Sequence, residues 1–222
     1  MSGYVLVSLW AKDDEASAAA HAMAMRAHEI QPALALIAGE APDRGEIRRA
    51  LEAAPGASLV IFGHGGAHFA ARRGGASWAC AAELAALAPG RRVYAFACDT
   101  FTPTPKLLWQ TFGDEAVRAC VGVFVGHAAP VMSPFAYEGS RRDARERMER
   151  GVLALIAAFV AGVDDEDVLR NLGATEAVDD DSVIELDLPS ADPDQEGAFG
   201  WSSGLFLHAF RASLRTRAKP LA

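Results

Sequence analysis

The chain has 222 residues, 51% of them hydrophobic, and a net charge of −8 from 21 basic and 29 acidic side chains. That length and composition suit one α/β domain with a real core and exclude a disordered chain. The acidic balance argues against a general nucleic-acid binder, which carries a basic face.

Strand and helix signals alternate from the start. Tyr4 to Trp10 reads as a strand, and alanine-rich Asp13 to His28 as a helix that opens on acidic residues. Ala33 to Ile37 is a second strand, stopped by Gly39, and a helix starts near Pro42 and runs to Ala54. The apolar run Leu59-Val60-Ile61-Phe62 leads into Gly63-His64-Gly65-Gly66. A loop spans His68 to Ser77 and a helix Trp78 to Leu87. A second apolar run, Val93-Tyr94-Ala95-Phe96-Ala97, ends in Cys98-Asp99-Thr100. Pro103 and Pro105 break the chain there, and the pattern predicts a helix from Lys106 to Ala119. Cys120 to Gly126 reads as a fifth strand, Tyr137 to Ala161 as a long helix and Asp164 to Leu172 as a short one. Val183 to Leu188 alternates like a half-exposed strand, and a last helix falls near Leu205 to Arg217. The alternation predicts a three-layer α/β sandwich with a mostly parallel sheet of about six strands. No repeat or linker divides residues 1–222, so a single domain is expected.

The stretch Glu176 to Glu196 holds nine acidic residues and no Lys or Arg, and reads as a mobile surface excursion near the active-site edge. The three cysteines, Cys80, Cys98 and Cys120, form an odd, low count without a basic leader. They predict free thiols and a cytoplasmic, reducing location. The apolar stretch Gly151 to Val163 is too short to cross a bilayer, so no membrane is expected.

The chemistry concentrates on His64 and Cys98. Each follows an apolar run that reads as a buried strand. If the two strands are parallel neighbours, both side chains emerge at one carboxyl edge, about 5 Å apart in the strand-pairing direction. A histidine beside a thiol lowers its pKa or takes its proton, and the thiolate is the nucleophile. Gly65 and Gly66 let the backbone approach a substrate, where an amide can stabilise an oxyanion.

Other constellations are weaker. His64 and His68 have metal-ligand spacing only on a helix, which Gly65-Gly66 oppose, and Cys80 and Cys120 read as buried packing residues. Gly200-Trp201-Ser202-Ser203-Gly204 matches a nucleophile elbow but has no acidic residue downstream, and reads as a capped helix start. The arginines from Arg141 to Arg150 interleave with Asp143, Glu146 and Glu149 as local ion pairs. No phosphate-cradling glycine motif is present, and no metal or organic cofactor is expected.

The apolar block ending in His-Gly, followed by an apolar block ending in Ala-Cys, resembles the caspase-like (clan CD) cysteine peptidases. Ala97-Cys98-Asp99-Thr100 is similar to the Ala-Cys-x-Thr of their bacterial CHAT branch. The stretch Ala116 to Gly126 looks like the helix and strand that follow the catalytic cysteine there. The resemblance covers about the first three-quarters of the chain. It implies a caspase-like fold, Cys98 as nucleophile, His64 as general base or acid, and an oxyanion hole built from the amides of Gly65 and Cys98. The implied activity is a thiol endopeptidase acting on a protein or peptide substrate. The competing reading is a catalytically silent module that binds a partner protein. Caspases proper have Gln-Ala-Cys-Arg-Gly, whereas this chain has Phe96-Ala97-Cys98-Asp99-Thr100, and no arginine cluster for an aspartate-reading pocket is legible. With the acidic balance, that predicts cleavage after a basic or neutral residue.

Overall fold

Runs that are apolar on both faces build the centre of one sheet. In the computed structural model, which describes residues 3–129, 142–172 and 211–219, the strands are β1 (Tyr4–Leu9), β2 (Ala35–Gly39), β3 (Ser58–Phe62), β4 (Arg92–Phe96), β5 (Val123–His127) and β6 (Leu214–Ala218). Their spatial order is β2-β1-β3-β4-β5-β6. The first five run parallel and β6 is antiparallel to β5.

Helices cover both faces. The helices α1 (Glu15–Ile30), α5 (Arg142–Val160) and α6 (Glu166–Asn171) close one side, where Leu6, Val60 and Tyr94 pack with Met23, Ile156 and Leu169. On the other, α2 (Arg44–Ala53), α3 (Ala81–Leu87) and α4 (Phe112–Arg118) set Leu51, Leu84 and Val117 against Val7, Ile61 and Val93. Alternate residues of β1, β3 and β4 thus feed two separate cores, as the period of two requires. The result is a three-layer α/β sandwich with a mostly parallel six-stranded sheet. From β1 the chain first steps outward to β2, then returns to β3 on the other side of β1. The sheet therefore has a topological switch point between β1 and β3, where a crevice opens beyond the carboxyl ends of the strands.

Several local expectations are corrected. The helix expected from Trp78 begins at Ala81. Trp78 is instead tied into a turn, its amide donating to the Phe69 carbonyl at 2.7 Å and its buried indole N–H to the Pro42 carbonyl at 3.0 Å. The helix expected over Lys106 to Ala119 splits. Pro105–Leu107 makes one 3₁₀ turn, Leu108 and Trp109 take left-handed backbone angles, and α4 starts only after Thr111 caps it by accepting from the Asp114 amide. Strand β5 starts at Val123, because Cys120 has φ +109° in the turn that closes α4. Cys120 is exposed and Cys80 only half-buried, so neither is the core residue expected.

The last helix gives way to strand β6 over Leu214–Ala218. The open edge of β5 offers unpaired backbone groups, and satisfying them overrides local helix preference. Ser213 adds a buried hydrogen bond to His127 at 2.8 Å. Glu149 of α5 pairs with Arg26 of α1 at 2.7 Å. The acidic stretch Glu176 to Glu196, the strand expected over Val183 to Leu188 and the Gly200 to Gly204 motif lie outside the described residues. Among the described residues, no helix is long and apolar enough to cross a membrane.

Candidate active site

His64 and Cys98 inherit their positions from strand register. Phe62 of β3 is the partner of Phe96 of β4, and their rings meet with centroids 5.0 Å apart. His64 and Cys98 each lie two residues beyond this pair, so both stand at the carboxyl edge of the sheet at matching heights. The Gly63 amide donates to the Phe96 carbonyl at 3.3 Å and holds the two strand ends together. His64 then pairs with Ala70 through two backbone bonds of 3.0 and 3.1 Å, which fold residues 64–70 into a tight hairpin.

Gly65 is fixed by the neighbouring strand end. A Cβ there would lie 2.2 Å from the Cys98 carbonyl oxygen, so only glycine permits this approach. Among the described residues, no acceptor takes the Gly65 amide. Its N–H is thus uncommitted at a strand-end turn packed on Cys98.

The turn after Cys98 is pinned by Thr100. The His127 amide donates to the Thr100 hydroxyl oxygen at 2.9 Å, and the hydroxyl donates back to the His127 carbonyl at 3.3 Å, all fully buried. Asp99 adopts φ +56°, a left-handed angle that aspartate tolerates better than most residues. Its carboxylate accepts from the Thr102 hydroxyl at 3.0 Å.

A third side chain enters that sequence reasoning missed. The Asp14 Oδ1 lies 2.8 Å from Nε2 of His64, both side chains only 17% exposed. A carboxylate can only accept, so Nε2 donates in this bond, and in the neutral ring Nδ1 carries the lone pair. Asp14 is held in turn as the N-cap of α1, accepting the Ser17 amide at 2.8 Å, and its Oδ2 accepts the Arg73 amide at 3.1 Å. Burial works against the Asp14 charge, but the bonds from His64, Ser17 and Arg73 outweigh it and hold its pKa at about 2. Asp14 follows β1 and His64 follows β3, so this pair bridges the switch point. The sequence showed acids at the start of a helix; the return of β3 beside β1, a long-range pairing, decides which residue they face.

A cleft of about 910 Å³ lies over this edge, and His64, Gly65, Cys98, Asp99, Arg73 and Lys106 are among its walls. Arg72 also lines it, but is engaged by Asp13 and by Glu40. Among the described residues, Arg73 and Lys106 form no ion pair, and Asp99 lines the same cleft. Among the described residues, no group of three His, Cys, Asp or Glu is arranged to hold a metal ion. A smaller depression of about 310 Å³ at the opposite, amino edge is lined by Arg48, Glu52 and Arg91, without a nucleophile.

Comparison of the chain with protein-family models, curated proteins and solved structures gives no match.

Proposed function

We propose that the chain is a cysteine endopeptidase of caspase-like type, working in the cytoplasm, with Cys98 as nucleophile, His64 as base and Asp14 as the residue that orients the histidine. The observation that carries this reading is the Asp14–His64 hydrogen bond in a cleft whose wall also includes Cys98. Holding Nε2 on a carboxylate turns the lone pair of Nδ1 toward other work and stabilises the imidazolium once it forms.

The reaction would begin with transfer of the Cys98 thiol proton to Nδ1 of His64. The thiolate attacks the scissile carbonyl carbon, and the carbonyl electrons move to oxygen. The amides of Gly65 and Cys98 are the donors proposed for that oxyanion. Collapse breaks the C–N bond, the amine leaves with the proton from His64, and an acyl thioester remains on Cys98. Water, deprotonated by His64, then hydrolyses the thioester and restores the thiol. No cofactor enters these steps. The caspase-like resemblance of the two strand-end motifs supports the same assignment.

Purified chain should cleave unfolded casein at neutral pH, and Cys98→Ala should abolish the cleavage while leaving the circular dichroism spectrum unchanged. Cleavage that survives Cys98→Ala contradicts the reading. An inert protein whose Cys98 reacts no faster than a free thiol favours the partner-binding module.

A further inference from the structure

The cleft that holds Cys98 has an apolar floor that the catalytic reading leaves unused. Phe96 and Ala20 line it, and both belong to the core packed between the sheet and α1. Phe96 rests on the fully buried Phe62, the ring centroids 5.0 Å apart. Ala20 stands one helical turn after Ala16, so the two share a face of α1, and both border the cleft. That face is fixed beside the dyad, because Asp14, the N-cap of α1, binds His64. The buried Ala97 adds a third small apolar wall next to Cys98 itself. One cavity of about 910 Å³ therefore holds the nucleophile, the histidine and the apolar floor. That volume falls in the range of ligand-sized pockets, roughly 300–1,000 Å³.

We infer that Ala16, Ala20 and Phe96 form a specificity pocket that takes a large, uncharged apolar side chain beside the scissile bond of the substrate. This rests on the peptidase reading above and adds a substrate class to it. It also narrows the preference expected from the sequence, which admitted a basic residue. A basic side chain would meet the cations Arg73 and Lys106, with Asp99 as the sole carboxylate among the described walls. That carboxylate already accepts from the Thr102 hydroxyl. An acidic side chain would find Arg73 and Lys106 exposed to water, where an ion pair contributes little. An apolar side chain laid against the alanine methyls and the Phe96 ring leaves water on its own account, which contributes more. The alanines are short, and the space they leave is what a longer residue at position 16 would fill.

The test uses two alkylating reagents, iodoacetamide and its N-phenethyl derivative, which carries an apolar group beyond the amide. Their rates at Cys98 and at the exposed Cys120 are measured in wild type and in Ala16→Phe. A peptide mixture holding every residue type at both positions flanking the cut is digested in parallel, with cut sites mapped by mass spectrometry. At Cys98 the phenethyl reagent should react about tenfold faster than iodoacetamide, the scale of burying such a group, and at Cys120 the two should be alike. Ala16→Phe should bring the ratio at Cys98 down to that at Cys120. Cut sites should favour Phe, Leu or Met beside the scissile bond about tenfold over Lys or Asp. Equal reagent rates at Cys98, a ratio untouched by Ala16→Phe, or a preference for Lys or Asp overturns the pocket. The peptidase reading survives that result where Cys98 still outreacts Cys120 toward iodoacetamide. The wild-type measurements decide even where Ala16→Phe does not fold. No cleavage, together with a Cys98 that reacts no faster than Cys120, removes the peptidase reading and this inference with it.

Discussion

Asp14 and His64, fifty residues apart, meet at 2.8 Å across the switch point between β1 and β3. One carboxylate there does two jobs, capping α1 through the Ser17 amide and fixing the histidine ring. The two jobs are separable by substitution. Serine caps a helix about as well as aspartate, so Asp14→Ser should keep the cap and lose only the bonds from His64 and Arg73, costing no more than about 2 kcal/mol in urea unfolding at pH 7. It should nevertheless lower the iodoacetamide reactivity of Cys98 by about tenfold, the scale of losing a group that orients a base. Equal reactivity in Asp14→Ser and wild type would remove Asp14 from the mechanism.

Acid should act on the same carboxylate. The folded pKa of Asp14 is about 2, against an ordinary value of 3.8. A depressed pKa stabilises the fold above the unfolded value, and that contribution disappears as pH falls through the folded one. The side chain is mostly buried, and the shift corresponds to no more than about 2 kcal/mol. Wild type should therefore lose most of that stability, relative to Asp14→Asn, between pH 4 and pH 2. Parallel stability curves for the two proteins over this range would contradict the role of the hydrogen bonds from His64, Ser17 and Arg73.

Gly65 sits where any Cβ meets the Cys98 carbonyl oxygen at 2.2 Å. Gly65→Ala must push the two strand ends apart. It should cost about 1–3 kcal/mol, the range for forced overpacking, and lower Cys98 reactivity more than the stability loss explains. Gly56→Ala is the control, since a Cβ at Gly56 meets nothing within 4 Å and should be tolerated. An unperturbed Gly65→Ala protein would show that the strand ends are not held in this contact.

The Thr100 hydroxyl is buried and exchanges bonds with both backbone groups of His127. Thr100→Val keeps the shape and leaves the His127 amide without its partner, at a cost of about 1–3 kcal/mol in unfolding experiments. A stability loss near zero would show that the turn after Cys98 is held by other contacts.

The strands were legible because apolar runs at β1, β3 and β4 are buried on both faces, and the two motif residues stand at the ends of two of them. Strand spacing alone brought His64 and Cys98 to one edge. What the sequence hid depends on long-range pairing. The partner of His64 follows from β3 returning beside β1. Strand β6 follows from the open edge of β5, and its local sequence, Leu214-Arg215-Thr216-Arg217-Ala218, has no strong strand pattern. The break at Leu108 and Trp109 was hidden for a related reason: hydrogen bonds back to Thr104 and Pro105 override helix-compatible residues.

The central claim is that His64, held by Asp14, activates Cys98, and cysteine alkylation tests it most directly. Cys120 is exposed, whereas Cys98 is only half-exposed, so access alone predicts that Cys120 reacts faster. At pH 7 the account predicts the reverse, with Cys98 modified by iodoacetamide at least about tenfold faster than Cys80 or Cys120, because a thiolate paired with a histidine outreacts an ordinary thiol. His64→Ala should bring Cys98 down to or below the rate of Cys120 without moving the other two. If Cys120 reacts fastest in the wild-type protein and His64→Ala changes no rate, the site does not activate Cys98 and the account is wrong.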